Sequence, residues 1–115
     1  MLALCLSAGV AASAETERVL PHPQGCPSRN FCGCGAAVEL FGSPVKDLWS
    51  ARAWLRFPRA EAASGMVAVR AHHVMVLRAH LIGPWWFVYD ANGGRHLTYY
   101  HVRNIRGYTI VNPRH

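Results

Sequence analysis

The sequence has almost no lysine and few charged residues of either sign. A single lysine accompanies eleven arginines, and charged side chains make up 16% of the 115 residues, although the net charge is +6. Half of the residues are hydrophobic, which excludes an intrinsically disordered chain. The arginines are spread from Arg18 to Arg114 without a block or a stripe, so we expect no specific nucleic-acid site. The positive charge still suits anionic partners such as cell-wall polymers.

Repeats, low-complexity tracts and membrane-spanning hydrophobic runs are also missing from the sequence. Its length suits one domain with its own core. The apolar stretch at the start, "MLALCLSAGVAASA" (1–14), is too short to span a bilayer. It ends in an A-x-A pattern, which predicts a signal peptide over 1–14 and an exported protein, periplasmic or secreted, although no basic residue precedes the apolar run.

Cysteine occurs four times, and the number that remains after export carries information. If Cys5 is removed with the signal peptide, Cys26, Cys32 and Cys34 remain, an odd number in an oxidising compartment. One of them must then stay free, pair between molecules or do chemistry. A bridge between Cys32 and Cys34 would close a very small, strained ring. Zinc bound by these cysteines with His73 is disfavoured, because C-x-C is not the usual zinc-ligand spacing.

The hydrophobic periodicity changes from helical to alternating near residue 65. After a loop over 15–30, apolar residues at helical spacing predict helices over 33–41 and about 45–56. Beyond them, short β-branched and aromatic segments predict strands, namely "MVAVR", "HVMVLRA", "WWFVYDAN" and "YTIVN". The "NGG" at 92–94 predicts a hairpin turn. We therefore expect an α+β fold with N-terminal helices packed on a four- to five-stranded antiparallel sheet.

Several conspicuous residues receive no functional role from the sequence. Trp85 and Trp86 are most simply explained by a strand with one buried and one partly exposed face. "LTYYHVR" (97–103) is compatible with a strand or a connector. Three histidines lack partners at ligand spacing, and we expect them at the surface: His80, His96 and His101.

A cysteine at the start of a helix is a candidate nucleophile, because the helix dipole and free backbone N–H groups stabilise a thiolate. Cys32 and Cys34 are two positions apart, so on a helix they point to nearly opposite sides and only one can face the sheet. His73 begins a predicted strand and could act as the base. On the next strand, Asp90 and Asn92 are two apart, and either could orient the imidazole.

This arrangement resembles the CHAP domain (cysteine, histidine-dependent amidohydrolase/peptidase), a papain-like relative of the NlpC-type cell-wall hydrolases. The resemblance is carried by "FCGCGAAVELF", "GMVAVRAHHVMVL" and "WWFVYDAN", and it predicts a CHAP-like domain over 31–115. The chain is also similar to small exported proteobacterial proteins that have "CGCG" and segments like "ARAWLRFPR". It differs from the usual CHAP pattern at His72, where that family has glycine, and at Asp90, where glutamate is commoner.

The resemblance implies roles for individual residues. Cys32 would be the nucleophile, His73 the general base and Asp90 or Asn92 the orienting residue, with Asp90 expected as the direct partner. The backbone N–H of Cys32 would be one oxyanion donor, and the nearby Asn30 or Gln24 side chain a candidate for a second. Two cysteines are then left as candidates for a disulfide: Cys26 and Cys34.

The function implied by this family is that of a cysteine amidase or endopeptidase that cleaves amide bonds, in peptidoglycan peptides, through an acyl-enzyme. It implies no metal and no cofactor, and we expect a monomer. Two other functions stay open. One is a non-catalytic exported module of the same fold that binds cell-wall or other anionic polymer, and the other is an inhibitor or immunity-type protein stapled by Cys26–Cys34.

Overall fold

The described part of the chain folds around one antiparallel sheet. A computed structural model describes residues 17–114, so the predicted signal peptide (1–14) lies outside the described residues. The sheet has six strands in the order β1-β5-β4-β3-β2-β6. In chain order, the strands are β1 (Arg18–Leu20), β2 (Val67–Arg70), β3 (His73–Ile82), β4 (Trp85–Asp90), β5 (Thr98–Asn104) and β6 (Thr109–Val111). The α+β class and the antiparallel sheet are confirmed.

The prediction of four or five strands is wrong, because β1 lies in the segment predicted as a loop (15–30). β1 has three mostly exposed residues at the edge of the sheet, where it pairs with β5. Such a short edge strand shows no alternation of polar and apolar residues, and its pairing with β5 defines it instead. The segment at 97–103 forms most of β5, which lies between β1 and β4 in the sheet.

The helical part of the chain is shorter than predicted. The first helix, α1 (Cys32–Phe41), agrees with the helix predicted over 33–41 and ends at Gly42, which adopts the left-handed conformation. The prediction of a second α-helix over about 45–56 is wrong, because the segment forms two 3-10 helices at Lys46–Leu48 and Ala51–Arg56. No helix within residues 17–114 is long and apolar enough to cross a membrane.

The interruption between the two 3-10 helices has a physical cause at Leu48. The indole N–H of the fully buried Trp54 donates to the Leu48 carbonyl oxygen (2.9 Å). The backbone of α1 also lies directly against the Leu48 and Trp49 carbonyls. These carbonyls therefore face tertiary partners instead of continuing an α-helical ladder, and tertiary contacts override the apolar spacing.

The two glycines of "CGCG" allow α1 to lie very close to its neighbours. A Cβ atom on Gly33 would sit 2.2 Å from the Leu48 carbonyl oxygen, and one on Gly35 would sit 2.3 Å from the Cβ of Ala91. A larger residue at Gly33 would push α1 away from the 3-10 segment, and one at Gly35 would push it away from the residue that follows β4. The glycines thus allow the close approach that positions Cys32, before them, and Cys34, between them.

The sheet buries apolar side chains on both faces. On one face, α1 and the 3-10 helices cover a core that includes Trp54, Val69 and Val76. On the other face, Met75, Leu77, Trp86, Val88 and Ile105 form a smaller core. α1 begins near the sheet end where β3 starts and β4 stops, and this end carries the candidate site.

Candidate active site

The three described cysteines are divided between a disulfide and a free thiol. Cys26 and Cys34 form a disulfide. Closing this short loop stabilises the fold by about 2–3 kcal/mol, because it restricts the unfolded chain. Cys32, the first residue of α1, is the free thiol among these cysteines, and it is buried. Cys32 and Cys34 therefore face different partners, in keeping with their spacing on a helix.

Cys32, His73 and Asp90 lie next to one another. His73 is the first residue of β3, and its Nε2 lies 2.5 Å from Oδ1 of Asp90, the last residue of β4. The Cys32 thiol lies 3.8 Å from the His72 carbonyl oxygen, on the residue next to His73, and it is near enough to the His73 ring to contribute to raising its pKa. Because Nε2 is occupied by Asp90, Nδ1 is the ring nitrogen left for the thiol.

Asp90 is completely buried and accepts hydrogen bonds from three side chains. Besides His73 on Oδ1, its Oδ2 accepts from Nε2 of His101 (2.7 Å) and from Nη1 of Arg103 (2.6 Å). The prediction that His101 lies at the surface is wrong, because its side chain is only 13% exposed and it packs against Tyr99. These contacts hold the carboxylate in one orientation toward His73.

The charges of the site reinforce one another. Burial by itself would lower the pKa of His73, but hydrogen bonds and negative charge from Asp90 and Cys32 raise it to about 9. Burial would also raise the pKa of Asp90, yet hydrogen bonds from His101 and His73, with the positive charges of His73 and Arg103, bring it well below its usual range. At neutral pH an imidazolium therefore lies between a carboxylate and the Cys32 thiol.

These shifts predict how stability depends on pH. His73 has a raised pKa, so its contribution of up to about 3 kcal/mol is complete below pH 6.5 and is lost as pH rises through about 9. Asp90 has a lowered pKa, so its contribution is complete above the ordinary carboxyl range and declines as the solution becomes more acidic. We expect the free energy of unfolding, measured by urea titration, to be highest near pH 5 to 6.5.

A His73→Gln variant isolates the alkaline part of this profile. The difference in unfolding free energy between the wild type and the variant should be largest near pH 6 and should shrink as pH passes about 9. A difference that stays constant from pH 6 to 10 would contradict the ion pair of His73 with Asp90.

Asn92 does not contact His73. The expectation that Asp90 and Asn92 share a strand is wrong, because β4 ends at Asp90 and Asn92 adopts a left-handed conformation (φ 56°) in the turn that follows. Its side-chain oxygen lies 3.1 Å from Nδ1 of His96 instead. The predicted "NGG" hairpin turn is accordingly a longer loop that contains a short 3-10 helix at Gly94–His96. Of the two candidates, Asp90 is the residue placed against His73.

Two cavities flank the β2–β3 turn. The smaller, about 320 Å³, is lined by Cys32, Asn30, Trp49 and Ser50. The larger, about 900 Å³, is lined by His73, Asn92, Arg70 and Arg103, among others. Ala71 and His72 contribute to both, so a bound chain could cross this turn with Cys32 on one side and His73 on the other. Asn30 lines the same cavity as Cys32, whereas Gln24 does not line it.

The cysteines considered as zinc ligands are divided by the disulfide. The disulfide removes Cys26 and Cys34 as ligands. Within residues 17–114, no group of three or more histidine, cysteine or acidic side chains is arranged to hold a metal ion.

Comparison with known proteins identifies no relative: the chain matches no protein-family model, no curated protein and no solved structure.

Proposed function

We propose that this protein is an exported cysteine amidase or endopeptidase of the papain-like, CHAP or NlpC type, which cleaves amide bonds in peptidoglycan peptides. The observation that carries the proposal is that the buried Asp90 carboxylate holds His73 while the free Cys32 thiol lies against the backbone of the adjacent His72. A nucleophile, a base and an orienting carboxylate in this order define the usual apparatus for acyl transfer.

The order of the elements supports a papain-like arrangement. The thiol lies at the first residue of α1, the base at the first residue of β3 and the carboxylate at the last residue of the adjacent β4. The Cys26–Cys34 disulfide supports export, because disulfides persist in oxidising compartments. Peptidoglycan is an exported polymer with amide-linked peptides and anionic groups, which suits a basic protein.

The proposed reaction begins with the Cys32 thiolate, which the His73 imidazolium stabilises. The thiolate attacks the amide carbonyl carbon, and the negative charge passes to the carbonyl oxygen. No side chain caps the N terminus of α1, so the Cys32 N–H is free to donate to this oxygen, with the Asn30 side chain as a second donor. His73 then protonates the leaving amine, and the C–N bond breaks to give a thioester. Finally, His73 removes a proton from water, and the hydroxide attacks the thioester carbonyl. The C–S bond breaks, which releases the acid and restores the Cys32 thiolate beside the His73 imidazolium.

The test compares the wild type with Cys32→Ala on purified peptidoglycan. We expect the wild type to release peptides or cross-bridge fragments that mass spectrometry identifies, and we expect the variant to release none. Cys32→Ala leaves the Cys26–Cys34 disulfide in place, and circular dichroism should show the same fold. Equal release by both proteins would refute the proposal. Binding of peptidoglycan by both proteins without any release would favour the non-catalytic module.

A further inference from the structure

The cavity beside His73 is strongly basic. The ionisable side chains that line it are three arginines, two histidines and one tyrosine: Arg52, Arg70, Arg103, His72, His73 and Tyr108. No aspartate or glutamate lines it. Low-dielectric walls of one sign of charge concentrate ligands of the opposite sign. The cavity is therefore suited to an anionic group.

Two of these arginines have no carboxylate partner in the described chain. Within residues 17–114, the acidic residues that form ion pairs are Glu39, with Arg78, and Asp90, with the site residues. Arg103 is therefore already neutralised by Asp90. Arg52 and Arg70 contribute uncompensated positive charge to the cavity wall.

Arg70 is held in place by its own surroundings. Its Nη2 donates to the Arg106 carbonyl oxygen (2.8 Å), and its guanidinium stacks over the Tyr108 ring at 4.3 Å. Gly107 leaves room for it, because a Cβ atom there would lie 2.8 Å from Nη2. Only one of its five N–H donors is needed for the Arg106 bond. A guanidinium fixed in this way loses less conformational entropy when it binds a carboxylate through its remaining donors.

We propose that the cavity is a subsite for a carboxylate of the substrate peptide, with Arg70 as its main ligand and Arg52 as a second. This inference rests on the proposed function, since it places the carboxylate on the His73 side of the amide that Cys32 attacks. The preferred substrate is thus an acidic peptide. Either an acidic side chain or a free C-terminal carboxylate offers the oxygen pair that a guanidinium binds.

The test measures binding on Cys32→Ala, so that it does not depend on hydrolysis. Three acetylated tetrapeptides are titrated at low salt by calorimetry: Ala-Glu-Ala-Ala amide, Ala-Gln-Ala-Ala amide, and Ala-Gln-Ala-Ala with a free C-terminal carboxylate. We expect at least one of the two anionic peptides to bind about tenfold more tightly than the neutral one, the scale of a charge-assisted hydrogen bond. Which anionic peptide shows the preference identifies the source of the carboxylate.

Charge-matched variants separate the subsite from general attraction to a basic protein. Adding Arg70→Gln to Cys32→Ala should abolish most of the preference for the anionic peptide, and Arg52→Gln should reduce it. Arg18→Gln removes the same charge from the exposed strand β1 and should leave the preference unchanged. Equal affinity of the three peptides, an equal effect of Arg18→Gln and Arg70→Gln, or no binding at millimolar peptide would overturn the subsite.

The two proposals can fail separately. Carboxylate-dependent binding without hydrolysis by the wild type would leave the subsite standing and refute the enzyme. Hydrolysis by the wild type without any carboxylate preference would support the enzyme and refute the subsite.

Discussion

Asp90→Asn is expected to lower kcat/KM for peptide hydrolysis by about 10³ to 10⁴, the scale set by the carboxylate of a catalytic triad. The substitution keeps the shape of the side chain but removes the charge that stabilises the His73 imidazolium. The asparagine amide also has one acceptor oxygen where the carboxylate has two. Its NH₂ group would replace the other oxygen and would face the donors around it. The pKa of His73 should fall toward its ordinary value, and the alkaline limb of the pH–rate profile should move to lower pH.

The same change should lower the free energy of unfolding by about 1–3 kcal/mol, because the hydrogen bonds that the buried Asp90 carboxylate accepts from His73 and His101 would be weakened. Activity must therefore be measured below the melting temperature, on protein whose circular dichroism is native. Asn92→Ala is the comparison, since Asn92 lines the cavity but its side-chain oxygen lies 3.1 Å from His96 Nδ1 and forms no hydrogen bond with His73. Its effect on kcat/KM should be small. The opposite ranking of the two variants would give the orienting role to Asn92, and no loss from either would mean that there is no triad.

Gly33→Ala is expected to destabilise the protein by about 3 kcal/mol, although alanine is the better helix former. Helix propensity alone favours alanine by about 1 kcal/mol. The new methyl group, however, would lie 2.2 Å from the Leu48 carbonyl oxygen and 2.4 Å from that of Trp49. Both contacts are with backbone atoms, which cannot rotate away, and overpacking of this kind costs more than the propensity returns. The net effect of Gly33→Ala on the free energy of unfolding should therefore be destabilising.

Chemical denaturation of Gly33→Ala and Gly94→Ala provides the measurement. A Cβ atom on Gly94 would have the Tyr99 hydroxyl as its nearest neighbour at 3.9 Å, so this variant should unfold within about 1 kcal/mol of the wild type. A Gly33→Ala protein as stable as the wild type, or more stable, would show that α1 does not lie against the 3-10 segment as described.

Much of the candidate site could be predicted because its members lie at the ends of strongly patterned elements. Cys32 precedes an apolar helical repeat, and His73 and Asp90 bound β-branched and aromatic segments. Element ends of adjacent strands meet at one edge of a sheet, so these residues could be brought together without knowledge of the full fold.

The rest of the site depends on register, which the sequence does not reveal. His101 and Arg103 reach Asp90 because β5 pairs with β4 so that Tyr99 lies opposite Asp90. The loop between these strands is too long to fix that register by turn type. One signal was present, namely that Tyr99, His101 and Arg103 alternate along one face of a strand. It predicts a shared face, but not which buried partner that face would meet.

The fold shows the same division between local pattern and tertiary contact. α1 follows from apolar spacing and a glycine stop, both of which are local. The 3-10 helices after it follow from the Trp54 indole and from the close approach of Gly33, which no periodicity encodes. The short edge strand β1 depends wholly on the strand it pairs with.

The central claim is that His73 and Asp90 keep Cys32 ready to act as a thiolate, and the pH dependence of Cys32 alkylation by iodoacetamide tests it most directly. The free thiol is unique among the described cysteines, so mass mapping can follow its modification in the native disulfide-bonded protein. At pH 6.5, where His73 is protonated, we expect the wild type to be alkylated about tenfold faster than His73→Ala, because the imidazolium stabilises the thiolate. This advantage should shrink as pH rises through about 9, where His73 loses its proton. Equal rates for the two proteins from pH 6 to 10 would contradict the account.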